Sequence, residues 1–218
     1  MWEEIIFEDD DRIAVIAPHP DDECLGAAAA LLLAPAKTDI YVLTDGSHGG
    51  KGKPLAEEAR IRRRQFEAEM AIVKPHAWFW LGLEDTTLSR EPQAVSHIDF
   101  TPYTKIFIPW SDSLHPDHRA AADMCRAALK AQKSPAECFS YEVSAPFRDP
   151  THYIDITGLE QQKRQLVRCH ADQAGHEQIT LSLNAFRAAQ IIRRPDIRFA
   201  ETYLKIDVFD GAAAIPCR

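Results

Sequence analysis

The sequence predicts an α/β protein built on one parallel sheet with helices on both faces. Short apolar runs rich in β-branched residues recur along the chain, each is followed by a stretch of helical composition, and turn residues separate the two. Strands that alternate with helices form βαβ units, and such units give parallel sheets covered on both sides. A length of 218 residues suits one domain. No internal repeat or low-complexity linker divides it, so residues 1–218 read as a single domain.

The first strand is residues 12–17 (RIAVIA), followed by a Pro-containing turn and an Ala/Leu-rich run at 25–36 that reads as a buried helix. The second is 40–44 (IYVLT); after a Gly-rich loop, residues 54–73 have helical composition. A third strand covers 76–81, and a fourth, 105–110 (KIFIPW), precedes a helix at 116–132 rich in Ala, Arg and Leu. A fifth strand is placed at 138–143. Two helical segments, 159–172 and 181–193, come before a last strand at 200–208, as an elaboration packed on the sheet. Residues 49–54 and 84–104 are expected to be mobile loops. Both follow strands, and ligands of open parallel sheets bind beyond the carboxyl ends of strands, so these loops should rim a site.

Composition narrows the function. With 45% hydrophobic and 27% charged residues the chain is an ordinary globular protein. Its net charge of −8 opposes nucleic acid or an anionic membrane as main partner, because the average field repels both. The apolar run at 25–36 falls short of the roughly 20 residues needed to span a bilayer, so membrane insertion is not expected. Cys24, Cys125, Cys138, Cys169 and Cys217 are scattered, odd in number and without a CxxC pair, which fits free thiols in a reducing compartment. The acidic start of the chain lacks the basic segment and apolar core of a signal peptide. A cytoplasmic location is the expectation.

Two histidine motifs carry the chemistry. His19-Pro20-Asp21-Asp22 follows the first strand and His115-Pro116-Asp117-His118 follows the fourth, so both reach the same rim of the sheet. Imidazole nitrogens and carboxylate oxygens bind Zn²⁺, and a catalytic site supplies about three such ligands while leaving a position for water. Two ligands from one turn need a third from elsewhere. If the helix begins at Pro116 or Asp117, His115 and His118 lie about one turn apart and can share a pocket. Either string alone is equally well a polar turn with an aspartate capping a helix; the pair at two strand ends favours a metal site.

His19-Pro20-Asp21-Asp22-Glu23, Thr44-Asp45-Gly46, Leu81-Gly82-Leu83 with Asp85, and His115-Pro116-Asp117-His118 together resemble the LmbE/PIG-L family of zinc-dependent N-deacetylases, in order and spacing over about residues 10–175. The resemblance implies a Rossmann-like fold and a single deacetylase domain. It implies hydrolysis of an N-acetyl group on an amino sugar or sugar conjugate, with Zn²⁺, or alternatively Fe²⁺, as cofactor. Carried over by motif position, His19, Asp22 and His118 would bind the metal and Asp21 would be the general base. His115, oriented by Asp117, would stabilise the oxyanion or assist protonation. This agrees with the elementary chemistry, in which a metal acidifies water and polarises the amide while a free carboxylate takes the proton. Were His115 a fourth ligand, the site would be closed and structural.

Departures from the family pattern stay away from the metal: alanines follow Gly26 where the family usually has glycines, and Val73-Lys74-Pro75 replaces a Leu-Gly helix end. Arg64 in Arg64-Gln65-Phe66-Glu67 and Asp85 correspond to substrate-facing positions, against a solvated helix face and a surface turn as alternatives. Asp45 either orients a ligand or makes an Asx turn. Trp78, Trp80 and Trp110 are expected in the core, and His48, His76, His97, His152, His170 and His176 to be structural. Two other functions compete: an amidase for another N-acylated small molecule or thiol conjugate, and a non-catalytic Rossmann-like binding module. The second lacks its glycine fingerprint after the first strand. Assembly into a homo-oligomer is left open.

Overall fold

The computed structural model describes residues 2–209 apart from Lys51, Ser144, Asp172 and Ala174. Cys217, the expected helix end at Asp172 and the middle of the 49–54 loop at Lys51 therefore lie outside the described residues.

Eight strands form one sheet: β1 (Glu3–Glu4), β2 (Ile13–Ala17), β3 (Thr38–Thr44), β4 (Ala77–Leu83), β5 (Lys105–Pro109), β6 (Glu137–Tyr141), β7 (His152–Asp155) and β8 (Ala200–Ile206). Their order is β1-β7-β8-β6-β5-β2-β3-β4. The run from β6 to β4 is parallel throughout, as the alternating pattern predicts. β8 is the exception, pairing antiparallel with both β6 and β7. Unlike the βα units before it, the last helix returns its chain in the opposite sense. β1 and β7 were not foreseen, since two and four residues leave almost no periodic signal.

β2 and β5 are buried at every residue, which is what continuous apolar runs in the middle of a covered parallel sheet should be. One face packs against α1 (Asp22–Gly26), α2 (Ala28–Leu33), α3 (Leu55–Val73) and α5 (Glu160–Cys169), through Cys24, Leu31, Phe66, Met70 and Leu166. The other face is covered by α4 (Pro116–Gln132), through Ala121, Cys125 and Leu129. The last helix, α6 (His176–Gln190), sits beside β8.

Three expectations change. The apolar run at 25–36 is two short helices broken at Ala27, not one. A Cβ on Gly26 would stand 2.2 Å from the Tyr141 ring, so the chain there is pressed against β6. The segment 84–104 is anchored, because Leu88, Val95, Ile98, Phe100 and Tyr103 all enter the core on the α4 side. The tryptophans border the core and do not fill it, Trp80 packing on Phe66 with ring centroids 5.6 Å apart. Trp78 and Trp80 lie on edge strand β4, Trp78 is exposed, and the Arg63 guanidinium covers both rings at 5.3 and 4.9 Å; Trp110 is half-buried, edge-on to Phe147. No described helix is long and apolar enough to cross a membrane. Cys24, Cys125, Cys138 and Cys169 are free thiols.

Candidate active site and metal centre

The register of β2 on β5, with Ile13 opposite Lys105 and Val15 opposite Phe107, sends the residues after Ala17 and Pro109 out at the same edge of the sheet. His19 and His118, ninety-nine positions apart in sequence, thereby become neighbours. Asp22 joins them: its Oδ2 lies 3.2 Å from His19 Nδ1 and 3.2 Å from His118 Nε2, and also accepts the His19 amide at 2.9 Å. The rings of His19, His115 and His118 stand 4.5 to 5.3 Å apart, with one nitrogen from each within 4.8 Å of the others.

Pro116 opens α4 and His115 caps it, its Nδ1 accepting the Asp117 amide at 3.2 Å. With Nδ1 an acceptor, the proton of neutral His115 sits on Nε2, leaving that atom a donor. The Asp117 backbone, and not its side chain, makes the hydrogen bond to the His115 ring. The Asp117 carboxylate is occupied elsewhere, with Oδ2 3.3 Å from His19 Nε2 and 2.7 Å from the Thr86 amide, and Oδ1 taking the Leu88 amide at 3.2 Å. It thus ties the 84–104 segment to His19.

Asp85 is buried beside the same imidazole, Oδ1 3.2 Å from His19 Nε2, while its Oδ2 accepts the His48 amide at 2.9 Å. Asp45 makes the Asx turn, taking the amides of Ser47 at 3.0 Å and Asp85 at 3.2 Å, and so joins the two rim segments. The charges respond strongly. Burial opposes ionisation of His19, yet Asp117, Asp22 and Asp85 raise its pKa well above the usual imidazole value. Burial likewise opposes Asp22, but His118 and His19 hold it well below the carboxylate range. Against its own burial, Asp85 is drawn down to about 2 by His19. Three carboxylates and three imidazoles meet at this rim, where His19 closes to within 4.8 Å with His115 and His118 and again with Asp85 and Asp117, a donor set suited to a divalent cation.

Asp21 faces different company. Its Oδ2 is 3.0 Å from Arg62 Nη2 and 3.3 Å from His176 Nδ1. Burial raises its pKa, but Arg62 and His176 outweigh that and keep the carboxyl ionised. Its backbone has φ 125° and ψ −25°, a region a side chain with a Cβ rarely enters. Strain of this kind costs about 1–3 kcal/mol and persists only where the surroundings impose it.

The structure brings together His19, Asp21, Asp22, Asp85, His115, Asp117 and His118, but leaves out Arg64. That side chain is exposed, about 200° around α3 from Arg62, the arginine that reaches the site. The signal was present in the sequence: Arg62 is in phase with Phe66, Glu69, Met70 and Val73 on the buried face, and Arg64 is not. His170 and His176 were also passed over; both lie behind or beside Asp21. The segment 145–152, between β6 and β7, leads away from this rim, since His152 opens β7 at the opposite edge, near Lys105 and Glu137. A cavity of about 330 Å³ lies at that far edge, away from both histidine motifs.

Residues 14–129, more than half of the chain, match the family model described as PIG-L, GlcNAc-PI de-N-acetylase. The chain belongs to the PIG-L family. Among solved structures, N,N'-diacetylchitobiose deacetylase from Pyrococcus horikoshii superposes with a TM-score of 0.77 at 19% identity, over 94% of this chain and 87% of that one. The zinc-inhibited form of teicoplanin deacetylase gives 0.67 at 17% identity, over 92% and 100%. GalB, the 4-carboxy-2-hydroxymuconate hydratase from Pseudomonas putida KT2440, gives 0.71 at 17% identity, over 94% and 100%. At such identities the likeness concerns the fold. A comparison with curated protein sequences found no match.

Proposed function

We propose that this PIG-L family chain is a metal-dependent hydrolase that removes an N-acetyl group from an amino sugar or sugar conjugate. One observation carries the reading: Asp22 stands within 3.2 Å of imidazoles from both motifs, while its neighbour Asp21 is turned to Arg62 and His176. His19, Asp22 and His118 would hold the ion, Zn²⁺ by donor type. The chemistry such an ion supplies when bound is Lewis-acid polarisation of the amide carbonyl and a lowered water pKa.

Asp21, ionised and outside the ligand set, takes the proton of the attacking water and passes it to the amide nitrogen as the C–N bond breaks. His115 offers its Nε2 hydrogen to the developing oxyanion, which supports a role facing the substrate over one as a fourth ligand. Asp117 fixes His19 from behind, the arrangement that orients metal-binding histidines. Asp85 is buried beside His19, at the position that the family pattern would set toward the substrate.

The fold by itself does not choose the reaction, since a hydratase shares it. Family membership and the two deacetylases among the structural neighbours favour N-deacetylation of a sugar conjugate. The test is a screen of zinc-loaded protein against N-acetylated amino sugars, free and nucleotide- or lipid-linked, with acetate release as readout. Other N-acylated small molecules and thiol conjugates form a second arm. Acetate from the sugars supports the reading; turnover confined to the second arm makes the chain an amidase of another class. No turnover in either arm by a protein holding one zinc overturns it.

A further inference from the structure

We propose that Glu69 and His170 are positioning residues, which act through Glu23 to hold Asp21 in its strained conformation. The inference rests on the reading of Asp21 as general base.

Three contacts pin the strained turn. The Asp21 amide donates to the Glu23 carboxylate, 3.2 Å from each oxygen. The Cys24 thiol donates to the Asp21 carbonyl at 3.2 Å, and Arg62 donates to the Pro20 carbonyl. Glu23 is wholly buried and needs its own support. Glu69 of α3 and His170, just past α5, stand against it as a pair: His170 Nε2 lies 2.7 Å from Glu69 Oε2, and the same nitrogen is 4.0 Å from Glu23 Oε1, packing distance and not a hydrogen bond. One donor atom from each of Glu23, Cys24, Glu69 and His170 lies within 4.8 Å of the others, and all four residues are at most 2% exposed.

Leu25, Phe66, Met70, Leu166 and Val167 of the same elements are core residues, so apolar side chains could fill this space at no desolvation cost. A polar cluster drawn from three helical segments stands there instead, directly behind Asp21, whose φ of 125° lies far from the left-handed helical values of Lys74, Thr86 and Lys133. Burial pushes the Glu69 carboxyl up to about 8 and pulls His170 down. At neutral pH Glu69 therefore carries a proton and His170 is neutral. A glutamine at 69 mimics that protonated form; an alanine removes the prop.

The experiment compares Glu69→Ala with Glu69→Gln, and His170→Asn with His170→Gln, in the metal-loaded protein. Glutamine at 170 keeps a polar atom where Nε2 stands, and asparagine does not. Glu69→Ala and His170→Asn should lower kcat by about 10- to 100-fold, the scale of a misplaced catalytic group. KM and one metal per chain should be kept, and both glutamine variants should stay within about threefold of the parent. The Asp21 amide should exchange about tenfold faster in the two disruptive variants. Unchanged kcat in them, or glutamine variants as impaired as their partners, overturns the proposal. Loss of a second metal equivalent on mutation also overturns it, by making the cluster a metal site. If Glu69→Ala does not fold, the His170 pair decides alone. If the parent turns over no amide, the functional reading fails, and Asp21 amide exchange still tests the positioning separately.

Discussion

Asp21 and Asp22 are consecutive in the chain and opposite in surroundings. Asp22 opens a helix and faces imidazoles of both motifs, whereas Asp21 occupies a strained backbone and faces a guanidinium, a half-exposed imidazole and a buried polar prop. One four-residue turn thus serves two environments, because the unusual φ of Asp21 sends adjacent carboxylates apart. Composition alone cannot separate two such aspartates; their neighbours do. On the proposed reading, the carboxylate among the imidazoles is committed to the ion they would hold, and the one outside that set is left to move a proton.

The contrast breaks most visibly under mutation of its two sides. His118→Ala should leave the protein unable to retain metal, read by elemental analysis after gel filtration, whereas Asp21→Asn should keep one metal and lose about 10²–10⁴-fold in kcat. Metal loss in Asp21→Asn would merge the two environments into one. His115→Ala is next, with metal retained and kcat down by about 10²–10³-fold; loss of the metal with it would make the site a closed, four-ligand one. Arg62→Met leaves the Asp21 charge buried without its main partner, so unfolding in urea should show a loss of about 3–5 kcal/mol. A variant as stable as the parent would mean that the turn is held by Glu23 and Cys24 without the arginine. Arg64→Ala should be the mildest, with stability within about 0.5 kcal/mol and kcat/KM unchanged. A raised KM there would return that arginine to the substrate side.

Much of the metal side was legible in the sequence. His19, Asp22, His115 and His118 sit directly after apolar strands, and parallel strands of a βαβ sheet deliver such residues to one edge whatever the loops do. Only their pairing across that edge needed coordinates. The Asp21 side was mostly illegible. Arg62 was hidden in a run of four arginines until the buried face of α3 was phased, and His176 opens a helix placed five residues too late by its apolar pattern. Glu69 and His170 carry no motif: a buried glutamate on a charged helix reads like its solvated neighbours. Trp78 and Trp80 misled in the other direction, because aromatic residues on an edge strand look like core residues until the missing neighbour strand is known.

By itself the sequence determined the alternating α/β architecture, the family and the two histidine motifs, because these depend on periodicity and on residues close together in the chain. Tertiary structure decided the rest. It turned β8 antiparallel, anchored the 84–104 segment, selected Arg62 over Arg64 and gave the two aspartates of the first motif different partners. Each of those outcomes depends on which distant side chains fill the space around a residue, and local propensity carries no record of that.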